Sequence, residues 1–513
     1  MKEKKYLIYG ICLSLLIVIG VTLAYFITEI EGDKKDVTIN TGDLRVIFNN
    51  GEKIEGTDIE PGWSVTKTFS IENKSKTEYK YNIVIQDLVN TFVSDNLVYK
   101  ITSTNNGHNM TDYEVLPKSE TAEDTILTYS TTISGKTTQE YTIEVKFKEE
   151  DRNQYEDMGK TITGKIYITE GTKNLYADYK KGTLGYQIMG DNPTRKTRSN
   201  NNNGTNDFAT PFTETTTGTL FTSTESITGI TDTPKEVYYY AGNTTNNWVK
   251  FGGFYWRIIR TNHDGSIRLL YVGTSHDTTT GNIGNSAFNE NYDSPKYVGY
   301  KYGEDDSTLD GIRENAIDST IKQQLDIWFT SSPLESYSKY LSASAVYCND
   351  RNEETEGTYT TSTSSSFYFA SHKRLFTDKT PTYNCSNIKD AFSVDNTSAK
   401  LNYPIALMTA DEIVFAGGTA WYASMSTPYA WFISNSSGTQ VSSYWWSLSP
   451  ILWNGSVARE WDWDFYSAFL SDGYVGRTDA VRPAISLKSC TLYGTGDGTA
   501  ENPYTILETD SGC

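Results

Sequence analysis

Apolar residues run almost unbroken through positions 6–27, behind the basic opening Lys2, Lys4 and Lys5. As a helix this run is about 33 Å long, enough to cross a bilayer. The lysines would stay inside, so everything after residue 30 would face outward. Residues 1–30 are expected to be a cytoplasmic stub with a transmembrane helix. The alternative is an export signal cleaved near Ala24, where Thr22-Leu23-Ala24 offers small residues. Either way the bulk of the chain is extracellular, and its membrane contact is confined to residues 6–27.

Beyond residue 35 the pattern shortens to a period of two. Leu44-Arg45-Val46-Ile47-Phe48, Lys67-Thr68-Phe69-Ser70-Ile71, Tyr81-Asn82-Ile83-Val84-Ile85, Tyr141-Thr142-Ile143-Glu144-Val145-Lys146-Phe147 and Lys165-Ile166-Tyr167-Ile168 read as strands between polar turns. This predicts an all-β sandwich over 35–170. Residues 171–235 lose the periodicity. Arg195-Lys196-Thr197-Arg198-Ser199 leads into an Asn run and a Thr-rich stretch, the composition of a polar linker.

Residues 236–513 mix both periods. Apolar runs flank Thr261-Asn262-His263-Asp264-Gly265, a hairpin signal. Ile321, Leu325 and Trp328 recur at helical spacing behind Ser319, a candidate N-cap. A second helix is expected over 407–418, with Thr409 and Glu412 spaced as a capping box and Gly417-Gly418 as the stop.

Composition narrows the function. The net charge is −19, from 64 acidic and 45 basic residues, which argues against nucleic acid as a partner. Aromatics make up 13 % of the chain, and 37 of them are Tyr, a mix suited to twisted sheets and to surfaces that grip ligands with flat rings. Of five cysteines, Cys12 lies in the apolar run. Cys348, Cys385, Cys490 and Cys513 form an even set outside it, which reads as disulfides in an oxidising compartment. Of the three connectivities we take the sequential pairing, Cys348–Cys385 and Cys490–Cys513. No close C-x-x-C pair suggests zinc.

Three resemblances add to this reading. Leu23-Ala24-Tyr25-Phe26, Asn40-Thr41-Gly42-Asp43-Leu44, Pro61-Gly62 and Ile71-Glu72-Asn73 resemble camelysin and related biofilm-fibre proteins over roughly 7–170. That implies a surface β-sandwich of Gram-positive type. The protease activity ascribed to that family finds no ligand set here, since His108 is the region's one histidine. The 407–418 helix, the Trp446-Ser447-Leu448-Ser449-Pro450 start and the Val481-Arg482-Pro483-Ala484-Ile485 finish resemble the formylglycine-generating-enzyme and C-type-lectin-like fold, implying an α+β head domain over 236–513. The whole stretch Trp248–Ile506, marked by Tyr347-Cys348-Asn349-Asp350-Arg351, Thr409-Ala410-Asp411-Glu412 and the finish extended to Lys488, also resembles a group of Firmicutes surface proteins, a likeness that brings no activity with it. Formylglycine-generating enzymes need a reactive cysteine pair, and the related sulfoxide synthases need clustered histidines. Here the cysteines are far apart, and His263, His276 and His372 stand singly. The chain is therefore expected not to be an enzyme.

The binding reading rests on the aromatic stretch between the closing motifs. Trp453, Asn454, Arg459, Trp461, Trp463, Tyr466 and Tyr474 are the candidate ligand-binding residues, with Phe465 among them. In an extended strand, Trp461, Trp463 and Phe465 share one face and Glu460, Asp462 and Asp464 the other. Either the rings are core and the acids face solvent, or the rings line a site for a glycan or protein. Calcium is the one cofactor the acids suggest, but positions i and i+2 lie almost 7 Å apart on a strand, too wide for one ion without other ligands. In some lectin-like domains a segment at the place of 445–485 is diversified by retroelements, so the resemblance implies a variable binding surface there. The leading expectation is a cell-surface binding or adhesion protein. A structural or biofilm-matrix role is the second, and a formylglycine-generating-like enzyme the third.

Overall fold

The computed structural model describes residues 37–513 except 42–43, 50–53, 57–58, 152–153, 158, 172–178, 199–207, 422–423, 426–429 and 441–442. The expected apolar helix, with Cys12 and Ala24, lies outside the described residues. Among those described, no helix is long and apolar enough to cross a membrane. The chain divides into two compact units, Met1–Asn174 and Leu175–Cys513, and strands dominate both.

In the first unit two antiparallel sheets enclose one apolar core. The larger sheet holds, in spatial order, Val37–Thr41, Leu44–Asn49, Ser64–Asn73, Thr137–Phe147, Leu97–Ser103 and Glu114–Val115. The smaller holds Ile54–Gly56, Ile162–Glu170, Tyr79–Asn90 and Ser119–Ile133. The five stretches read from sequence all fall in these strands. Strict alternation buries Ile162, Ile166 and Ile168 from one sheet against Ile71, Ile143 and Val145 of the other, while Lys165 and Thr163 stay outside. Tyr81 Oη donates to Gln139 Oε1 at 2.6 Å and meets Tyr141 Oη at 2.5 Å, so the buried phenols are satisfied.

The second unit starts earlier than the sequence suggests. Residues 171–235 were expected as a linker, but Leu184–Asp191 forms a helix, and Thr219–Ile227 and Thr231–Tyr239 form an antiparallel pair. That pair joins a large sheet through Tyr239, opposite Arg260 of Phe254–Thr261. The Thr-rich composition is polar, but β-branched residues favour a pleated, half-buried surface, and Leu220, Phe221 and Val237 are buried in the pair. The basic cluster also has a structural use. Arg195 donates to Met189 O at 3.2 Å, at the end of the Leu184–Asp191 helix. Arg198 donates to Phe415 O at 2.8 Å and Val414 O at 3.3 Å, at the end of the Ala410–Ala416 helix. Both guanidinium groups thus satisfy carbonyls that a helix end leaves open.

The large sheet continues through Ile267–Gly273, Pro483–Leu487 and Ile405–Leu407. The predicted hairpin is present, with Gly265 at φ 76° in its turn. Ser319 caps Thr320–Ser331 as expected, accepting from Lys322 N at 3.3 Å. Thr409 and Glu412 form a complete capping box, but the helix is the shorter Ala410–Ala416, because residues 405–407 pair as a strand with Pro483–Leu487. Gly417 stops it at φ 126°. A second sheet carries the aromatic stretch. Trp445–Trp453 pairs with Ala458–Asp464, which pairs with Phe469–Tyr474, and Phe367–Tyr368 adds to the other side of Trp445–Trp453.

Candidate functional site

The strand Ala458–Asp464 is covered on both faces, which resolves the choice posed by its alternation. Trp461 and Trp463 have no exposed surface, and Trp453 has 1 %; all three are core. Trp463 packs edge-on against Phe432, and Trp453 Nε1 donates to Ser362 O at 3.2 Å. The acids do not face solvent as alternation predicts. Glu460 and Asp462 are fully buried as well, because the opposite face of the strand lies against further protein. Asp462 accepts from Ser471 Oγ at 2.6 Å and pairs with Arg477. Asp464 accepts from Tyr466 N and Ser467 N in the turn. Asp462 and Asp464 are thus engaged separately, while among the described residues Glu460 has no hydrogen-bond partner and no group of three His, Cys, Asp or Glu could hold a metal.

The remaining expected residues separate into two places. Asn454 organises its own turn, accepting from Ser456 N and Val457 N. Tyr466, 77 % exposed, sits past the strand end with Phe465 at 3.9 Å and Tyr444 at 5.8 Å. Arg459 and Tyr474 lie elsewhere, in a lateral row fixed by strand register: Tyr368 opposite Leu452, Leu452 opposite Arg459, Arg459 opposite Tyr474. Directly opposed residues in antiparallel strands project to the same face. The row therefore spans about 14 Å, three strand spacings, with an exposed tyrosine at each end.

Trp461 is the floor beside this row. Its Nε1 donates to Ser371 Oγ at 3.0 Å, which anchors the Ala370–His372 turn. The His372 ring stacks on Tyr368 at 4.1 Å, and His372 Nδ1 lies 2.6 Å from Glu354 Oε2. Trp421 leans on Trp461 at 4.9 Å and edge-on against Phe376 at 5.2 Å. Arg459 meets Asp472 Oδ2 at 2.5 Å, and Asp472 is opposite Trp461. The result is an open face of half-buried rings around a buried tryptophan, with one His–Glu and one Arg–Asp pair at its edges.

Sequence reasoning reached Arg459, Trp461 and Tyr474 of this face. It missed Tyr368, Trp421 and Glu354, which arrive from distant segments, and it read His372 as isolated. None of the three histidines of this unit stands alone: His263 Nδ1 is 3.4 Å from Glu225 Oε2, and His276 Nδ1 is 2.7 Å from Ser436 Oγ. The alternation of Phe367-Tyr368-Phe369 was the one local signal.

A charged cleft lies elsewhere in the unit. Glu412 Oε1 accepts from Arg260 Nε at 2.8 Å and Arg268 Nη1 at 2.7 Å, while Glu225 takes Arg260 Nη2 at 2.9 Å. Arg374 forks onto Asp411 at 2.7 and 2.8 Å and reaches Asp350 at 2.9 Å. Burial alone would raise Glu225, but Arg260 and His263 outweigh it and hold the carboxyl at about 2. These groups answer one another, and the space left, about 20 Å³, is that of one water molecule. The cleft is therefore a brace within the fold. It is bordered by Cys348, whose bond to Cys385 forms as paired from the sequence, as does Cys490–Cys513.

No protein-family model matches the chain, and no curated protein matches it. Among solved structures, AvmM, which catalyses macrocyclization in alchivemycin A biosynthesis, is similar at 11 % identity over 22 % of this chain and 73 % of that one, with a TM-score of 0.14. A ruminal GH26 endo-β-1,4-mannanase is similar at 11 % identity over 28 % of each chain, again with a TM-score of 0.14. At such scores neither likeness bears on fold or activity.

Proposed function

We propose that this chain is a cell-surface binding or adhesion protein that recognises a glycan or protein ligand through its second unit. The observation that carries the reading is the lateral row from Tyr368 through Arg459 to Tyr474, open beside a buried Trp461. Rings held by a rigid sheet present contact area at little entropic cost, and paired charges beside them supply orientation. The two disulfides support an oxidising, extracellular location. Residues 6–27 would display the chain on the membrane, or release it after cleavage near Ala24. The C-type-lectin-like assignment belongs to the same reading, supported by the capping-box helix and by the Pro483–Leu487 strand in mid-sheet. The test is an array of glycans and host proteins probed with the full chain and with Arg459→Ala and Tyr474→Ala. Signals lost in both variants support the reading; signals that survive in both remove the face from it.

A structural role in a fibre or matrix has one specific observation in its favour. Ser119–Ile133, fifteen residues long, is the edge strand of the smaller sheet in the first unit, and its first half is largely exposed. A long exposed edge is a template for pairing with another chain. Its bulged pairing with Tyr79–Asn90 and the acids Glu120, Glu123 and Asp124 work against that. Filaments that grow with protein concentration would favour this second reading. A formylglycine-generating-like enzyme is disfavoured, since every cysteine of the second unit is committed to a disulfide.

A further inference from the structure

We propose that the open face takes an uncharged oligosaccharide, with Tyr368 and Trp421 stacking on sugar rings and the His372–Glu354 and Arg459–Asp472 pairs exchanging hydrogen bonds with hydroxyl groups. This rests on the binding-face reading and names the ligand class for it.

Three observations favour uncharged sugar over ionic ligands. The first is charge pairing. His372 lies 2.6 Å from Glu354 and Arg459 2.5 Å from Asp472, so each basic group already faces a carboxylate. An anion or cation would have to break a pair and leave one member without its partner. A hydroxyl group can donate to the carboxylate and accept from the guanidinium of an intact pair. The second is the set of unused polar ring atoms. Among the described residues His372 Nε2 and Trp421 Nε1 have no hydrogen-bond partner, although neither ring is fully buried and both are flanked by aromatic neighbours. Directional polar groups beside flat apolar rings match a ligand that is apolar on its ring faces and polar around its rim.

The third is the backbone at Trp421. It sits at φ 51°, in the left-handed region that bulky side chains avoid, with its amide donating to Leu470 O at 3.0 Å. Such conformations persist where the surroundings impose them, and they cluster at ligand clamps. Here the consequence is visible: the strained backbone sets the indole against Trp461 and Phe376, at the margin of the face that holds Tyr368. The row of about 14 Å suits an extended chain of sugar rings better than a single one.

The experiment is native affinity electrophoresis of the full chain. The gels carry laminarin, xyloglucan or galactan as uncharged polymers, and hyaluronate or polygalacturonate as acidic ones. Solid-phase binding to fibronectin and collagen runs in parallel. Retardation is expected from at least one uncharged polymer, weakened at least ten-fold in Trp421→Ala and in Tyr368→Ala and largely restored in Trp421→Tyr. Unchanged thermal midpoints show that the variants fold; if Trp421→Ala does not, Tyr368→Ala at the exposed edge carries the test. Retardation by none of the uncharged polymers, or retardation indifferent to both alanine variants, overturns the sugar assignment. Binding confined to acidic polymers or proteins, and lost in Arg459→Ala, overturns it too while leaving the binding face intact. Binding that no substitution on the face alters overturns both.

Discussion

Replacing Glu460 by glutamine should stabilise the second unit above the ordinary carboxylate range and leave it unchanged below. Glu460 has no exposed surface, and neither of its carboxylate oxygens has a hydrogen-bond partner among the described residues. Burial pushes its proton affinity well above that of an ordinary glutamate; Arg351, already bonded to Asp390 at 2.7 Å, offsets only part of this. The folded protein therefore keeps a proton that the unfolded chain releases above about pH 4.3. The stabilising effect of protonation is complete below that value and is lost as pH rises toward the higher folded-state value. Across that interval the contribution of Glu460 to stability falls by about 1.4 kcal/mol per pH unit. Glutamine has nearly the same shape and cannot ionise, so the slope should vanish in Glu460→Gln. Two pH units above the crossover, the variant should lead by up to about 2.7 kcal/mol. Urea midpoints followed by tryptophan fluorescence, at half-unit steps from about pH 4 to 7, read this directly, because eight tryptophans of this unit are fully buried. The two curves should meet at the acid end and diverge upward. A constant offset, or a variant that is the less stable one at neutral pH, would refute the reasoning and mean that the folded carboxylate is ionised.

Glu412→Ala should cost roughly 3–5 kcal/mol in the same assay, since Arg260 and Arg268 both lose a buried partner; a loss below about 1 kcal/mol would contradict the brace. Glu225 behaves oppositely to Glu460 with pH. Held at about 2 in the fold, it contributes stability that is present above about pH 4.3 and lost on acidification toward the folded value. Glu225→Gln should therefore flatten the acid limb of the stability profile, and an unchanged limb would show that other groups set it. Serine at Cys348 and Cys385, whose bond spans 37 positions, should lower stability by about 4 kcal/mol, read as a shift in the urea midpoint; a shift equivalent to under about 1 kcal/mol would mean the loop is closed without it.

The parts of this fold with local causes were legible in the sequence. Period-two runs became the first unit's strands, Asp264-Gly265 became a hairpin turn, and the Thr409/Glu412 spacing became a capping box, because each signal lies within a few residues. Two readings failed for a shared reason. The Thr-rich 219–239 stretch looks like linker until it is paired, and Glu460 and Asp462 look solvent-facing until a second layer covers them; in both cases distant chain supplies the burial. The candidate face shows the same limit. Arg459 and Tyr474 sit in one hairpin and were accessible to pattern reasoning, whereas Tyr368, His372 and Trp421 reach Trp461 from 40 to 93 positions away. Trp421 carries no sequence mark of its left-handed backbone, since nothing in its residue type favours it.

The most direct test of the central claim is oxidative footprinting of the full chain, free and bound to the surface or polymer that retains it. Tyr368, Trp421 and Tyr474 should lose reactivity on binding, while Tyr155, an exposed ring of the first unit, and Tyr466, at the far end of the hairpin, should keep theirs. Protection of Tyr466 with Tyr368, Trp421 and Tyr474 still reactive would place recognition elsewhere and contradict the account.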